Sequence, residues 1–207
     1  MSAYELYCFK ESGNAYKAAL MLELTGTAWT PVWVDFFNGA TRTPEYREDL
    51  NEMGEVPVLV GNGVQLTQTG LILDYLAKET GRFGGRDEAQ ERDVLRWILF
   101  DNHKLTAYTA TYRFMTNFMK GADKPVTDFL GQRMHGAFKV LNAHLEGQDF
   151  AAGDELTIAD ISMCGYLFYP DEFGVSWETS YPAIGAWLDR IKAQKGWQHP
   201  YDILPAS

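Results

Sequence analysis

The sequence predicts an α/β domain followed by an all-α domain. Three observations predict it. As far as residue 80, aromatic and β-branched runs alternate with helical stretches. The segment "GRFGGRDEAQ" (Gly81 to Gln90) then turns to glycine and charge, the composition of a linker. Beyond it, strand signals stop and helical periodicity takes over. The expected boundaries are residues 1–80 and 88–207.

The first domain opens with "AYELYCF" (Ala3 to Phe9), a strand broken by "SGN". "AYKAALMLELTG" repeats apolar residues at Ala15, Ala18, Ala19 and Leu22 and stops at Gly26, a helix with a glycine end. "AWTPVWVDF" is a second strand with Pro31 near its start. Strand, helix, strand predicts a right-handed parallel crossover. A polar loop with a short helical piece follows. "VPVLV" and "VQLT" are strands, and "GNG" between them is a hairpin turn, since Asn and Gly tolerate positive φ. "TGLILDYLAKETG" is a helix with apolar Leu71, Ile72, Tyr75 and Leu76.

The second domain reads as four helices: Asp87 to Lys120, with a kink, then Pro125 to Gly147, Leu156 to Tyr169, and Tyr181 to Trp197. In "LTIADIS", Thr157 and Asp160 have the spacing of a capping box ahead of an apolar run, so Asp160 is assigned to structure.

Composition narrows the function. The 207 residues are 46% apolar and 22% charged, with a formal net charge of −10. That acidity argues against nucleic-acid and anionic-membrane surfaces. Cys8 and Cys164 are far apart and in no paired motif, so neither a disulfide framework nor a zinc site is expected. His103, His135, His144 and His199 have no ligand spacing. No signal peptide and no bilayer-length apolar run is visible, so the reading is a soluble, cytoplasmic protein.

Pro57 is the odd residue. It lies inside a strand-like run where proline cannot donate to a ladder. Such a proline belongs at a strand start and can be cis. Taken with "SGNAYKAALMLELTG", "GEVPVLVGNGVQLTQTGLILDYLA" and "LTIADISM", in that order over nearly the whole length, the chain resembles a cytosolic glutathione transferase. The resemblance implies the glutathione transferase fold: an N-terminal thioredoxin-like domain that binds glutathione, and a helical C-terminal domain that lines the electrophile pocket. It also implies a homodimer, glutathione as co-substrate and no tightly bound cofactor.

Site residues follow from the same resemblance. Val56 pairs main chain to main chain with the cysteinyl part of glutathione, held by a cis Pro57. Gln68 and Thr69 open the helix after the hairpin, where unpaired N–H groups suit the γ-glutamyl carboxylate, with Gln68 near its amino group. Gln68 is neutral where the family often has Glu. Capping by Thr67 or Thr69 competes with ligand contact. In "KESGN", Ser12 and Asn14 are the candidates to hydrogen-bond the thiol sulfur and favour the thiolate. Both are also good cap residues, and capping alone accounts for them. Tyr7 and Cys8 are rivals, although strand packing and burial explain them as well. Arg42 is offered for the glycyl carboxylate. Glu55 stands in the ligand-contacting loop where a basic residue is often seen. Asn102, Tyr108 and Tyr112 are pocket candidates, with Tyr108, Tyr112, Met115 and Met119 on one helical stripe. A glutathione-dependent disulfide reductase and a non-catalytic glutathione-binding protein are the alternatives.

Overall fold

The computed structural model describes residues 4–206. Ala3, which the sequence reading places in the first strand, lies outside the described residues. Two compact units are present. One runs to Arg82 and takes in the segment from Gln194; the other is Phe83–Ala193.

The first unit is built on one sheet of β1 (Tyr4–Cys8), β2 (Trp29–Trp33), β3 (Val58–Gly61) and β4 (Val64–Thr67). Spatial order is β2-β1-β3-β4. β1 and β2 are parallel, with Leu6 opposite Pro31, and the remaining pairs are antiparallel. Pro31 is tolerated because β2 is an edge strand. α1 (Gly13–Thr25) makes the crossover and ends at Gly26 in the left-handed region, φ 71°. Nearly all its side chains are buried, as a helix apolar on every side requires. β3 and β4 join through Asn62 and Gly63, both at positive φ.

Register brings the site's elements together. Tyr7 faces Val58, and Val58 faces Thr67. The end of β1, the start of β3 and the end of β4 therefore share one end of the sheet. α1 begins there, and so does α3 (Thr69–Thr80). Between β2 and β3 lie a short turn at Ala40–Arg42 and α2 (Pro44–Asp49). The buried stripe of α3 is Ile72, Leu73, Leu76 and Ala77. Leu71, expected on the apolar face, is 52% exposed, because Leu73 takes the inward position.

The C-terminal segment differs from its expected place. The sequence assigns 88–207 to the helical domain, yet the segment from Gln194 packs in the first unit. There the Tyr16 hydroxyl donates to the Gln198 carbonyl at 2.8 Å.

In the second unit a continuous helix runs from Glu88 to Phe118. It comprises α4 (Glu88–Phe100), a π turn (Asp101–Leu105), α5 (Thr106–Arg113) and a second π turn (Phe114–Phe118). α6 (Lys124–Leu145), α7 (Ile158–Cys164), α8 (Trp177–Ser180) and α9 (Pro182–Lys192) follow. α10 (Pro200–Ile203) belongs to the first unit. The capping box on α7 is present. Asp160 is fully buried and accepts from Ala151 N–H (2.7 Å), Thr157 N–H (2.9 Å), the Thr157 hydroxyl (3.1 Å) and Trp187 Nε1 (2.9 Å). Among the described residues, no helix is long and apolar enough to cross a membrane.

Candidate functional site

Ser12 sits where β1 hands over to α1. Its N–H donates to the Phe9 carbonyl at 3.1 Å, and its Oγ accepts from Ala15 N–H at 3.1 Å. Extended backbone at φ −81°, ψ 102° is the usual N-cap geometry. The cap uses one lone pair of a nearly buried hydroxyl. Its O–H proton has no acceptor among the described residues.

Asn14 is half-buried, one residue further into α1 than its first position. Its side-chain amide makes no hydrogen bond among the described residues. Its backbone carbonyl accepts a long hydrogen bond, 3.4 Å, from the hydroxyl of Thr69, the buried first residue of α3. The first turns of α1 and α3 are thus joined. Neither contains an acidic residue. Two positive helix ends adjoin with no first-turn carboxylate to balance them, which favours an anion.

The loop before β3 completes this end of the sheet. The Val56–Pro57 peptide is cis. Val56 N–H and C=O make no hydrogen bond among the described residues. The preceding carbonyl, of Glu55, is held by the Tyr46 hydroxyl and by Asn51 Nδ2, each at 2.9 Å. Burial, and then Tyr7, push the Tyr46 hydroxyl up to about 12, so it stays a donor. Gly54 has φ 67°, and a Cβ there would lie 2.7 Å from the Thr41 carbonyl and 2.7 Å from Arg47 Nη2. Only glycine lets the Ala40–Arg42 turn approach so closely. Nothing in the sequence alone points to Tyr46 or strongly to Asn51. Asn51 opens "NEMGE", which is the one local signal.

The Arg42 side chain is exposed, with no hydrogen bond or ion pair among the described residues, while its backbone N–H donates to the Gly39 carbonyl at 2.9 Å. Arg47 instead braces the loop by donating to the Glu52 carbonyl at 3.0 Å. Gln68 precedes α3 at φ 67°, ψ 111°, a region that costs a non-glycine residue about 1–3 kcal/mol and recurs at ligand sites. Its Nε2 donates to Glu55 Oε2 and to Met53 Sδ, both at 3.0 Å.

The rival thiol activators are placed differently. Tyr7 packs into a cluster with Val34, Tyr46 and Val58. Cys8 is fully buried, and desolvation pushes its thiol up to about 12. It is therefore a neutral thiol at physiological pH, not a nucleophile.

Asn102, Tyr108 and Tyr112 belong to the second unit. Asn102 is exposed in the first π turn. Its neighbour Asp101 is fully buried and accepts from the Thr106 and Ser162 hydroxyls, each at 2.6 Å. Tyr108 is half-buried. Tyr112 packs on α6: a Cβ at Gly131 would lie 3.2 Å from its ring. There it lines a groove of about 600 Å³ with Gln132, His135 and Lys139. The expected four-residue stripe does not persist. The second π turn changes the register after Arg113, and Met119 lies past the helix end in extended conformation, 49% exposed. Among the described residues no group of His, Cys, Asp or Glu could hold a metal ion.

Comparison with known proteins defines the class. Residues 2–78 match the family model "Glutathione S-transferase, N-terminal domain", and residues 105–195 match "Glutathione S-transferase, C-terminal domain". The crystal structure of a possible glutathione S-transferase from Rhodopseudomonas palustris is 31% identical, covers 100% of this chain and 93% of that one, and superposes with a TM-score of 0.90. The chain belongs to the glutathione S-transferase family. A glutathione transferase from Pseudomonas putida, solved with glutathione disulfide bound, shares the fold at 23% identity and a TM-score of 0.83, covering 98% of this chain and 92% of its own. Among curated proteins, elongation factor 1-gamma of Equus caballus is 26% identical over 194 residues, 91% of this chain and 44% of that protein. The chain spans less than half the length of that curated relative.

Proposed function

We propose that the chain is a glutathione transferase that joins the glutathione thiolate to a small apolar electrophile. One observation carries this reading. At one end of the sheet, the joined first turns of α1 and α3 offer unbalanced positive ends, beside a Val56 main chain with no partner among the described residues. Glutathione supplies what such a site takes: a carboxylate for the α3 end, a peptide group for Val56 and a sulfur for the α1 end.

A free thiol has a reference pKa near 8.5 and is mostly protonated at neutral pH. A hydrogen bond from Ser12, aided by the α1 end and by the Asn14 amide, favours the charged sulfur. The thiol proton leaves to solvent. The thiolate then attacks the electrophilic carbon, a C–S bond forms, and the leaving group departs with its electron pair. Arg42 is assigned to the glycyl carboxylate, and Asn102, Tyr108 and Tyr112 to the electrophile side. Homodimerisation is part of this reading; the exposed Leu95 and Leu99, one turn apart on α4, offer an apolar surface for a second copy.

Two alternatives have support of their own. The disulfide held by the Pseudomonas putida structure favours a glutathione-dependent reductase, in which bound glutathione and not Cys8 exchanges with the substrate. The match to an elongation factor favours a binding-only role. Parallel assays with an activated aryl halide and with a mixed disulfide separate the three. Thioether formation supports the transferase. Reduction alone supports the reductase. Calorimetric binding of glutathione without turnover in either assay supports the third.

A further inference from the structure

We infer that Met53 is an oxidation site through which hydroperoxide regulates the protein: its sulfoxide displaces Gln68 at the head of α3 and weakens glutathione binding. This rests on the glutathione reading above.

Exposure is the first observation. Met53 is 50% exposed, whereas Met21, on α1 in the same unit, is fully buried. In the second unit Met134 and Met163 are buried, and Met119 is 49% exposed. A half-exposed thioether is open to peroxide, and its oxidation turns an apolar side chain into a polar one.

The contact that Met53 makes is the second. Its Sδ accepts from Gln68 Nε2 at 3.0 Å, and the same nitrogen donates to Glu55 Oε2 at 3.0 Å. A thioether is a weak acceptor. A sulfoxide oxygen is a strong one, and the flexible methionine stem can bring it to Nε2. An N–H···O bond alone spans about 2.9 Å, as much as the whole present distance from Nε2 to Sδ. With the S–O bond added, the two side chains must part.

The loop side of the contact is held and the helix side is not. Met53 N–H donates to Asn51 Oδ1 at 3.0 Å, Gly54 N–H to the Asn51 carbonyl at 2.8 Å, and Arg47 to the Glu52 carbonyl at 3.0 Å. Gln68 is exposed, and its backbone at φ 67° is kept there only while its surroundings enforce it. Gln68 is therefore the partner that yields. It is the residue immediately before Thr69, so its displacement disturbs the first N–H groups of α3.

The step is a two-electron oxidation. A sulfur lone pair attacks one peroxide oxygen, the S–O bond forms, the O–O bond breaks, and the other oxygen leaves as water after proton transfer. A methionine sulfoxide reductase reverses it at the expense of a dithiol, which becomes a disulfide.

The test treats the full chain with hydrogen peroxide, removes the peroxide, and reads three quantities. Peptide mass spectrometry locates the added oxygen, calorimetry gives the glutathione affinity, and the Gln68 side-chain amide resonances report its position without ligand. Wild type is expected to gain oxygen on Met53, to shift the Gln68 resonances and to lose about tenfold in affinity. Methionine sulfoxide reductases are expected to restore both. Met53→Leu should hold its own affinity through the treatment, and Met119→Leu should remain sensitive. A Met53 that stays unoxidised while Met119 is oxidised overturns the proposal. So does an oxidised Met53 with unchanged affinity, or an equal loss in Met53→Leu. Wild type that binds no glutathione before treatment overturns the glutathione reading itself, and the regulation with it.

Discussion

The hydroxyl of Thr69 lies 3.4 Å from the carbonyl oxygen of Asn14, and this contact joins the first turns of α3 and α1. The bond is long, at the weak end of the hydrogen-bond range. Its use is positional. Thr69→Val keeps the shape and removes the hydroxyl. It is expected to cost at most about 1 kcal/mol of stability, and to weaken glutathione about tenfold, because on binding the hydroxyl turns its one proton from the long Asn14 contact to the ligand carboxylate. Thr69→Ser is expected to retain affinity. Calorimetry on the two variants checks both.

Cys8 is expected to be inert. It is fully buried, and its thiol is pushed up to about 12 by desolvation. Iodoacetamide at pH 8 should leave it unmodified in the native protein and alkylate it fully in denaturant, as read by mass spectrometry. Cys8→Ala should keep the turnover number.

Asp160 holds α7, α9 and the Ala151 loop through four accepted hydrogen bonds. Asp160→Ala strands buried donors on Trp187, Ala151 and Thr157. It is expected to cost about 3–5 kcal/mol, seen as a large drop in the urea midpoint. Glutathione affinity of the folded protein should not change. A loss of affinity at unchanged stability would contradict the structural assignment.

His135 carries a pH dependence. Burial, and then Lys139, hold its imidazole below the usual value, and its Nδ1 lies 2.9 Å from the Tyr181 hydroxyl. The unfolded chain therefore takes up the proton first as pH falls. Stability from this group is complete above about 6.5, the unfolded value, and declines as pH drops from there toward the lower folded value. His135→Gln should flatten that part of the stability profile, measured by urea unfolding between pH 7.5 and 5.

Local chemistry was legible in the sequence. Gly26 stops α1, Asn62 and Gly63 turn the hairpin, Pro57 opens β3, and Thr157 with Asp160 caps α7. Each is read from residues a few positions apart. What the sequence hid depends on distant partners. Arg113 is buried against Glu172 at 2.7 Å, and Asp101 against Ser162, pairs about sixty residues apart. The tail's return to Tyr16 spans most of the chain. Helical periodicity failed where the helix is not α: the π turns at Asp101–Leu105 and Phe114–Phe118 shift the register that Met119 was read from. At the site, residue types were legible, but the Glu55–Gln68 contact was not, because it joins a loop to a helix cap thirteen residues on.

On the glutathione reading, the Ser12 hydroxyl stabilises the thiolate of the bound ligand. Thiolate absorbance near 240 nm of the bound ligand, followed across pH, tests it most directly in wild type, Ser12→Ala and Tyr7→Phe. The thiol pKa is expected at least one unit below the free value of about 8.5 in wild type and in Tyr7→Phe, with a return toward it in Ser12→Ala. An unchanged thiolate signal in Ser12→Ala, with its loss in Tyr7→Phe, would move the role to the strand tyrosine and rule out Ser12.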